Sequence, residues 1–388
     1  MQDPTKTAQN GGSGRAALSA LSSLVIAFAV AGVARGFGAG RQGDPGGGGE
    51  RSRSADLAGE DETSSRSPHA AAREPGRGRQ AAMPTEIPTR GWWDITLRVF
   101  DEIGRDRILA VAAGVTFYGL LALFPAVGAF VSLYGLVADP ATINDHLATM
   151  SGFVPGGAVE IIGEQVKRIT SKGDTALGFA FFSGLAISLW SANAGIKAVF
   201  DALNVAYEED EKRNFFWLNV WSLAFTLATI LFLALALGAV LVIPLVLKFV
   251  GLGAVTEWLI WAGRWPALLA LMIGGLAALY RFGPSRERAK WRWLAPGAIF
   301  AAIGWLAASM LFSWYVSSFG NYNETYGSLG AVIGFMTWMW LSSIIILVGA
   351  EINAESEHQT AEDTTEGSGA PLGARGAHMA DTIGQARA

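Results

Sequence analysis

From Gly330 to Ala350 no position carries a charge. A helix of that length, rising about 1.5 Å per residue, covers the roughly 30 Å hydrocarbon core of a bilayer. Five other apolar stretches share the pattern, so six long segments run approximately over 108–137, 175–200, 217–249, 258–282, 292–317 and 329–352. Apolar on all faces, they predict membrane-spanning helices rather than the one-sided helices of a soluble domain. Pro125 and Pro244 interrupt the first and third, where a kink absorbs the excess length. Pro296 is placed in the first turn of the fifth, where its missing N–H costs little.

One-sided patterns occur in two places. Trp92, Ile95, Val99 and Ile103 recur at helical spacing, with Asp94, Arg98, Asp101, Glu102 and Arg105 on other faces. This predicts an amphipathic helix just before the first span, lying in the interface plane or packed on the cytoplasmic face of the bundle, two compatible readings. Between spans one and two, Val159, Ile162, Val166 and Ile169 mark a helix face amid Glu160, Glu164, Lys167 and Arg168, so 138–174 reads as one or two amphipathic helices on the outer surface. His146 lies there, read as a surface residue.

The last span opens on Gly330-xxx-Gly334, a small-residue spacing that admits a second helix backbone. Trp338 and Trp340 are mid-span, which predicts packing on neighbouring helices rather than an interfacial belt. It closes on Glu351 and Asn353, expected at the headgroup level or against a protein partner.

Outside these segments the pattern dissolves. Ala16 to Ala34 is apolar but alanine-rich, and three readings stay open: a seventh span, a signal peptide with Ala29-Val30-Ala31 as a cleavage-like site, or part of an over-long start with Met83 opening a shorter chain. Residues 35–90 hold nine Arg and eight Asp or Glu with few large apolar side chains, so residues 1–90 read as a mostly disordered extension. Residues 91–356 form the six-helix membrane domain, and the polar, acidic 357–388 read as a disordered tail.

Composition sharpens this picture. Apolar residues make up 51% and charged residues 16%, against about 25% charged in soluble domains. The net charge of −4 gives no footprint for nucleic acid. With no cysteine, disulfides, thiolate metal sites and cysteine nucleophiles are excluded. The charges that matter are in the connections. Arg281 to Arg292 holds five basic residues in twelve, and Lys212, Arg213, Arg98, Arg105 and Arg107 flank other loops on the same side. The positive-inside rule makes that side, and the C-terminus, cytoplasmic.

Certain short stretches carry a resemblance. Ala112-Ala113-Gly114-Val115-Thr116-Phe117-Tyr118 with Leu123-Phe124-Pro125, then Trp190-Ser191-Ala192-Asn193 with Ala202-Leu203-Asn204 and Tyr207, resemble the YihY/BrkB family of bacterial inner-membrane proteins. So does the ending Tyr326-Gly327-Ser328-Leu329-Gly330 through Gly349-Ala350-Glu351-Ile352-Asn353-Ala354. The resemblance covers about 92–356. It implies a six-helix, multi-pass protein of the bacterial plasma (inner) membrane with both termini of that core inside. Members are labelled ribonuclease BN-like, associated with virulence and serum resistance, or suspected of moving envelope lipids or other solutes.

The residues test these labels. A metal-dependent nuclease needs clustered carboxylates or histidines, and the spans carry no such motif. The run Glu208-Glu209-Asp210-Glu211 reads as a solvated loop face beside Lys212 and Arg213. No enzyme and no cofactor is therefore expected. Polar residues inside spans remain as candidates for a substrate path: Asn193, Lys197, Glu351, Thr116 and Tyr118. Lys197 lies near a span end where its stem can snorkel, and Glu351 is expected to pair with it or with a basic-loop arginine. Thr116 and Tyr118 either line a cavity or bond to neighbouring helices. Arg281, Arg286, Arg288, Lys290 and Arg292 are expected to contact anionic lipid as a topological anchor, with a headgroup or phosphate site as the alternative.

The fold class is thus an all-α polytopic membrane bundle of six core helices with amphipathic surface helices. The expected function is translocation of an envelope lipid or small solute, with a non-transporting envelope scaffold as alternative and a membrane-associated ribonuclease third. The bilayer and anionic lipids at the cytoplasmic face are the expected partners, nucleic acid is not, and a homo-oligomer stays open.

Overall fold

A computed structural model describes residues 71–135, 179–238, 254–318, 328–367 and 369–387, all within one compact unit, 66–388. The expectations for 16–34, for most of the 1–90 extension, for Pro244 and for the amphipathic helices and His146 of 138–174 lie outside the described residues.

Among the described residues there are eight helices and no strand, apart from an isolated bridge between Ala289 and Thr365. Helix α1 (Thr89–Arg105) leads into α2 (Ile108–Gly135), followed by α3 (Phe179–Ala206), α4 (Phe215–Leu237), α5 (Ala254–Phe282), α6 (Trp291–Ser318), α7 (Ser328–His358) and the single turn α8 (His378–Asp381). The uniformly apolar segments became the long helices. By length and composition four can cross a membrane, α4 over Phe215–Ala236, α5 over Ala262–Phe282, α6 over Trp291–Val316 and α7 over Val332–His358. A fifth is added if α1 and the first part of α2, bent by 62°, form one broken span. At that bend Arg107 takes a left-handed backbone conformation, φ 53°. Leu231, Leu233, Met310 and Leu311 are exposed along the shafts, a surface suited to lipid tails.

The buried core gathers where α2, α4 and α6 begin and α3, α5 and α7 end. We call this the polar end. Ile108, Ala112, Leu203, Tyr280, Ala301 and Leu347 belong to it, and the many alanines around them let helices approach closely. The tightest crossing joins α6 and α7. A Cβ on Gly297 would lie 1.9 Å from the Gly349 carbonyl oxygen, and one on Gly349 would lie 2.7 Å from that of Gly297. Asn353 Oδ1 accepts from the Gly297 N–H at 2.7 Å beside it. Of the Gly330-xxx-Gly334 pair, Gly330 is buried, while at Gly334 no atom of the described residues lies within 4 Å of a Cβ. The mid-span tryptophans do reach neighbours: Trp338 Nε1 donates to Ser309 Oγ of α6 at 3.1 Å, and Trp340 Nε1 to the Leu109 carbonyl at 2.9 Å. Pro296 is the sixth residue of α6, which starts at Trp291, so it follows the first turn rather than sitting in it.

Two expectations of disorder are corrected. Residues 71–90, 359–367 and 369–387 fold together over the polar end. Ala361 N–H donates to the Arg79 carbonyl at 2.7 Å, Thr360 Oγ1 to the Ala81 carbonyl at 2.8 Å, and Arg79 Nη2 to the Gly384 carbonyl at 2.7 Å. Taken alone, neither segment has the apolar surface to offset its ordering entropy. Together, with basic residues supplied by the loops, they satisfy each other's polar groups. Helix α1 shows the same effect. Its buried face holds Asp94, Arg98 and Glu102 beside Ile95 and Val99. Asp94 and Arg98 find partners in this cap, at Arg387, Gln359 and Gln385, Glu102 pairs with Arg105 of its own helix, and Trp93 and Phe100 face outward.

Candidate functional site

A polar seam runs between α3 and α4. Asn219, Ser222 and Thr226 recur at i, i+3 and i+7, which sets them on one stripe of an otherwise apolar helix. Facing them, Lys197 Nζ donates to Asn219 Oδ1 at 2.6 Å, and Asn193 Nδ2 lies 3.5 Å from the same oxygen. Thr226 Oγ1 donates to the Ser222 carbonyl at 2.9 Å and lies 3.4 Å from Asn193 Oδ1. Asn193, Asn219, Ser222 and Thr226 are buried. The Lys197 ammonium also sits 5.3 Å from the Trp190 ring centroid and 5.9 Å from that of Phe215, a cation–π arrangement that supports charge in an apolar setting. Amides, hydroxyls and one cation in a helix pair can pass a polar headgroup or small solute between alternating partners.

Of the five residues expected on a path, the structure brings together Asn193 and Lys197. Thr116 is buried but donates to the Ala112 carbonyl of its own helix at 2.8 Å, and Tyr118 is exposed on the bundle surface, edge-on to Phe117. Glu351 pairs neither with Lys197 nor with the basic loop. It is wholly buried, its oxygens meet no donor among the described residues, and it faces the carboxyl of Asp106. Burial raises the Asp106 carboxyl above its ordinary range.

The basic loop is largely turned inward. Arg286 forms a two-pronged pair with Glu357, at 2.6 and 3.0 Å, and lies 4.2 Å from the Tyr207 ring centroid. Burial would lower the Arg286 pKa, yet the Glu357 carboxylate holds it above its ordinary value. Arg281 pairs with Glu366, and Lys290 Nζ donates to the Asp363 carbonyl. Arg288 and Arg292 are exposed. Below this loop, Arg98 pairs with Glu355 and donates to Gln359 Oε1 at 2.7 Å.

The acidic run is not a uniform solvated face either. Glu211 accepts from Arg213 Nε and Nη2 at 2.8 and 2.7 Å. Burial pushes its carboxyl up, but these bonds outweigh it and hold the pKa at about 2. A depressed carboxylate stabilises the fold above its unfolded value near 4.5 and loses that contribution as the pH falls through about 2. The Tm of the wild type is therefore expected to drop more between pH 4.5 and pH 2 than that of Glu211→Gln. Equal slopes in the two melts would remove this account.

Sequence reasoning missed Asn219, Ser222 and Thr226, although their spacing within an apolar segment was a readable signal. It also missed Asp106 and Glu357, which lie far along the chain from what they touch. The family model described as virulence factor BrkB matches residues 99–372. The chain is 33% identical over 251 residues to the ribonuclease-like protein YfkH of Bacillus subtilis, covering 63% of this chain and 88% of that one. It is 26% identical over 288 residues to a UPF0761 membrane protein of Pseudoalteromonas translucida, covering 71% and 89%. A UPF0761 membrane protein of Neisseria meningitidis serogroup B is 26% identical over 291 residues, covering 73% and 67%. No solved structure matches.

Proposed function

The chain belongs to the virulence factor BrkB family, and from that premise we propose that it translocates an envelope lipid or a small solute across the bacterial plasma membrane. The observation that carries this reading is the α3–α4 seam, where Lys197 is held by the Asn219 amide and two aromatic faces. A stripe of buried polar groups in apolar helices is costly unless it serves a passage or a packing contact. In this reading Asn193, Lys197, Asn219 and Thr226 line the path, while Thr116, Tyr118 and Glu351 support it from outside. The positive-inside rule supports a cytoplasmic polar end and C-terminus, where Arg288 and Arg292 meet anionic lipid.

A non-transporting envelope scaffold is the second reading, favoured by the ion-paired cap that the two terminal segments build. The name of YfkH raises a ribonuclease. That reading is weaker, because among the described residues no three His, Asp or Glu side chains are grouped to hold a metal ion, and we propose that the protein is not an enzyme.

The test is reconstitution into liposomes with a fluorescent phospholipid. Wild type is expected to scramble the lipid, and Lys197→Ala, inserted equally well, to lose at least tenfold in rate. Folded wild type that moves neither the lipid nor an encapsulated solute would sink the proposal and leave the scaffold.

A further inference from the structure

We propose that a cleft at the polar end, between the start of α4 and the loop after α5, is a binding site for a phosphate-bearing anion, and that a phospholipid headgroup is its natural source. The site is separate from the seam, and the inference stands whether or not the seam transports. The cleft has a volume of about 330 Å³, within the range that holds a small ligand. Five cations line it, Lys212, Arg213, Arg281, Arg286 and Arg288, against the single carboxylate of Glu287. The carboxylates that partner four of them, Glu209, Glu211, Glu366 and Glu357, do not line it. The basic groups thus present a positive concavity while their counter-charges stand behind, an arrangement that draws anions.

Two details point to a ligand rather than to a saturated network. The Nε atoms of Arg281 and Arg286 are buried without an acceptor among the described residues, on side chains only 5% and 1% exposed. Each guanidinium therefore keeps a buried N–H donor that a bound oxygen can take. Arg288, exposed at the rim, has its guanidinium 5.3 Å from the Phe282 ring centroid. It makes no ion pair among the described residues.

The floor fixes the level of the site. Trp221 of α4 and Phe282 at the end of α5 stack at 5.8 Å with an interplanar angle of 8°, and Trp291 meets Phe282 edge-on at 6.1 Å. Aromatic rings at the ends of apolar helices mark the headgroup layer of a bilayer. A phosphate at that height is the one carried by a lipid, and planar guanidinium groups are suited to hold its oxygens.

The test uses the full chain in neutral detergent, titrated with dioctanoyl phosphatidylglycerol and, separately, with inorganic phosphate, while tryptophan fluorescence is followed. Wild type is expected to bind one equivalent of the lipid. The surface double variant Lys212→Gln, Arg288→Gln, checked for an unchanged melt, is expected to bind at least tenfold more weakly. Arg90→Gln, whose residue is exposed but outside the cleft, is expected to bind as wild type does. Lipid binding that inorganic phosphate does not displace identifies a headgroup site. Displacement at comparable concentrations identifies a site for soluble phosphate, retaining the anion chemistry and removing the lipid as source. Binding that does not saturate, or that Arg90→Gln weakens as much as the double variant, would overturn the proposal in favour of a diffuse surface field.

Discussion

Gly297→Ala is expected to cost about 3 kcal/mol or more, roughly 10 °C in Tm for a bundle of this size. The added Cβ would lie 1.9 Å from the Gly349 carbonyl oxygen and 2.6 Å from the Asn353 side chain. The first of these is backbone in the middle of α7, so no rotamer change relieves it. The two helices must separate, and separation also stretches the 2.7 Å bond from Gly297 N–H to Asn353 Oδ1. Gly334→Ala is the internal control. Its Cβ would meet no atom of the described residues within 4 Å, and alanine favours helix over glycine by up to about 1 kcal/mol. Melting of both variants in detergent decides the matter. A Gly297→Ala protein as stable as Gly334→Ala would contradict the α6–α7 crossing.

The second large effect is expected at Glu357. Removing its carboxylate in Glu357→Ala leaves the Arg286 guanidinium, 1% exposed, as an unpaired buried charge, which costs about 3–5 kcal/mol. Thr364 Oγ1 also loses its acceptor at 2.8 Å, so the cap over the polar end should loosen. Trypsin cleavage at Arg375 is expected to accelerate together with the fall in Tm, since Arg375 is buried in the folded cap. Two comparisons separate mechanism from general damage. Replacing both partners, Arg286→Met with Glu357→Leu, removes the stranded charge and is expected to be milder than Glu357→Ala. Asp101→Ala breaks the pair with Arg387, but these side chains are 50% and 39% exposed and the loss is expected to be under about 1 kcal/mol. If Glu357→Ala melts like Asp101→Ala, the buried pair is not what fastens the cap.

These contacts show what a linear reading can and cannot recover. The long helices were legible because uniform apolarity is a local property. Four of them are apolar enough to cross a bilayer on their own terms. Trp338 and Trp340 were correctly sent toward neighbours, since a ring with an N–H at mid-span has no water to bond. Choosing between Gly334 and Gly349 as the crossing point was beyond the pattern, because both are small and only the partner, Gly297, decides. Glu351 was legible as a buried polar group. Its neighbour was not, because Asp106 lies at the other end of the described fold in sequence and carries the same charge, against the expectation of an ion pair. The acidic tail misled for a related reason. Composition measures what a segment can bury by itself, whereas residues 357–367 and 369–387 are held by Arg79, Arg98, Lys290 and Arg286 from elsewhere. The seam was half legible: Lys197 and Asn193 were singled out, and the i, i+3, i+7 stripe of α4 that completes it was present but masked by the apolar residues around it.

The most direct test of the α3–α4 path exploits the absence of cysteine from the chain. Single cysteines are placed at Thr226 in the seam and at Met310 on the outer surface, where the side chain is 68% exposed toward lipid. Sealed vesicles are then treated with a membrane-impermeant methanethiosulfonate. A passage must admit water in part of its cycle, so Thr226→Cys is expected to react at least tenfold faster than Met310→Cys, although Thr226 is only 4% exposed in this conformation. Equal, slow labelling of both folded variants would contradict the path and leave the seam as a packing contact of a scaffold.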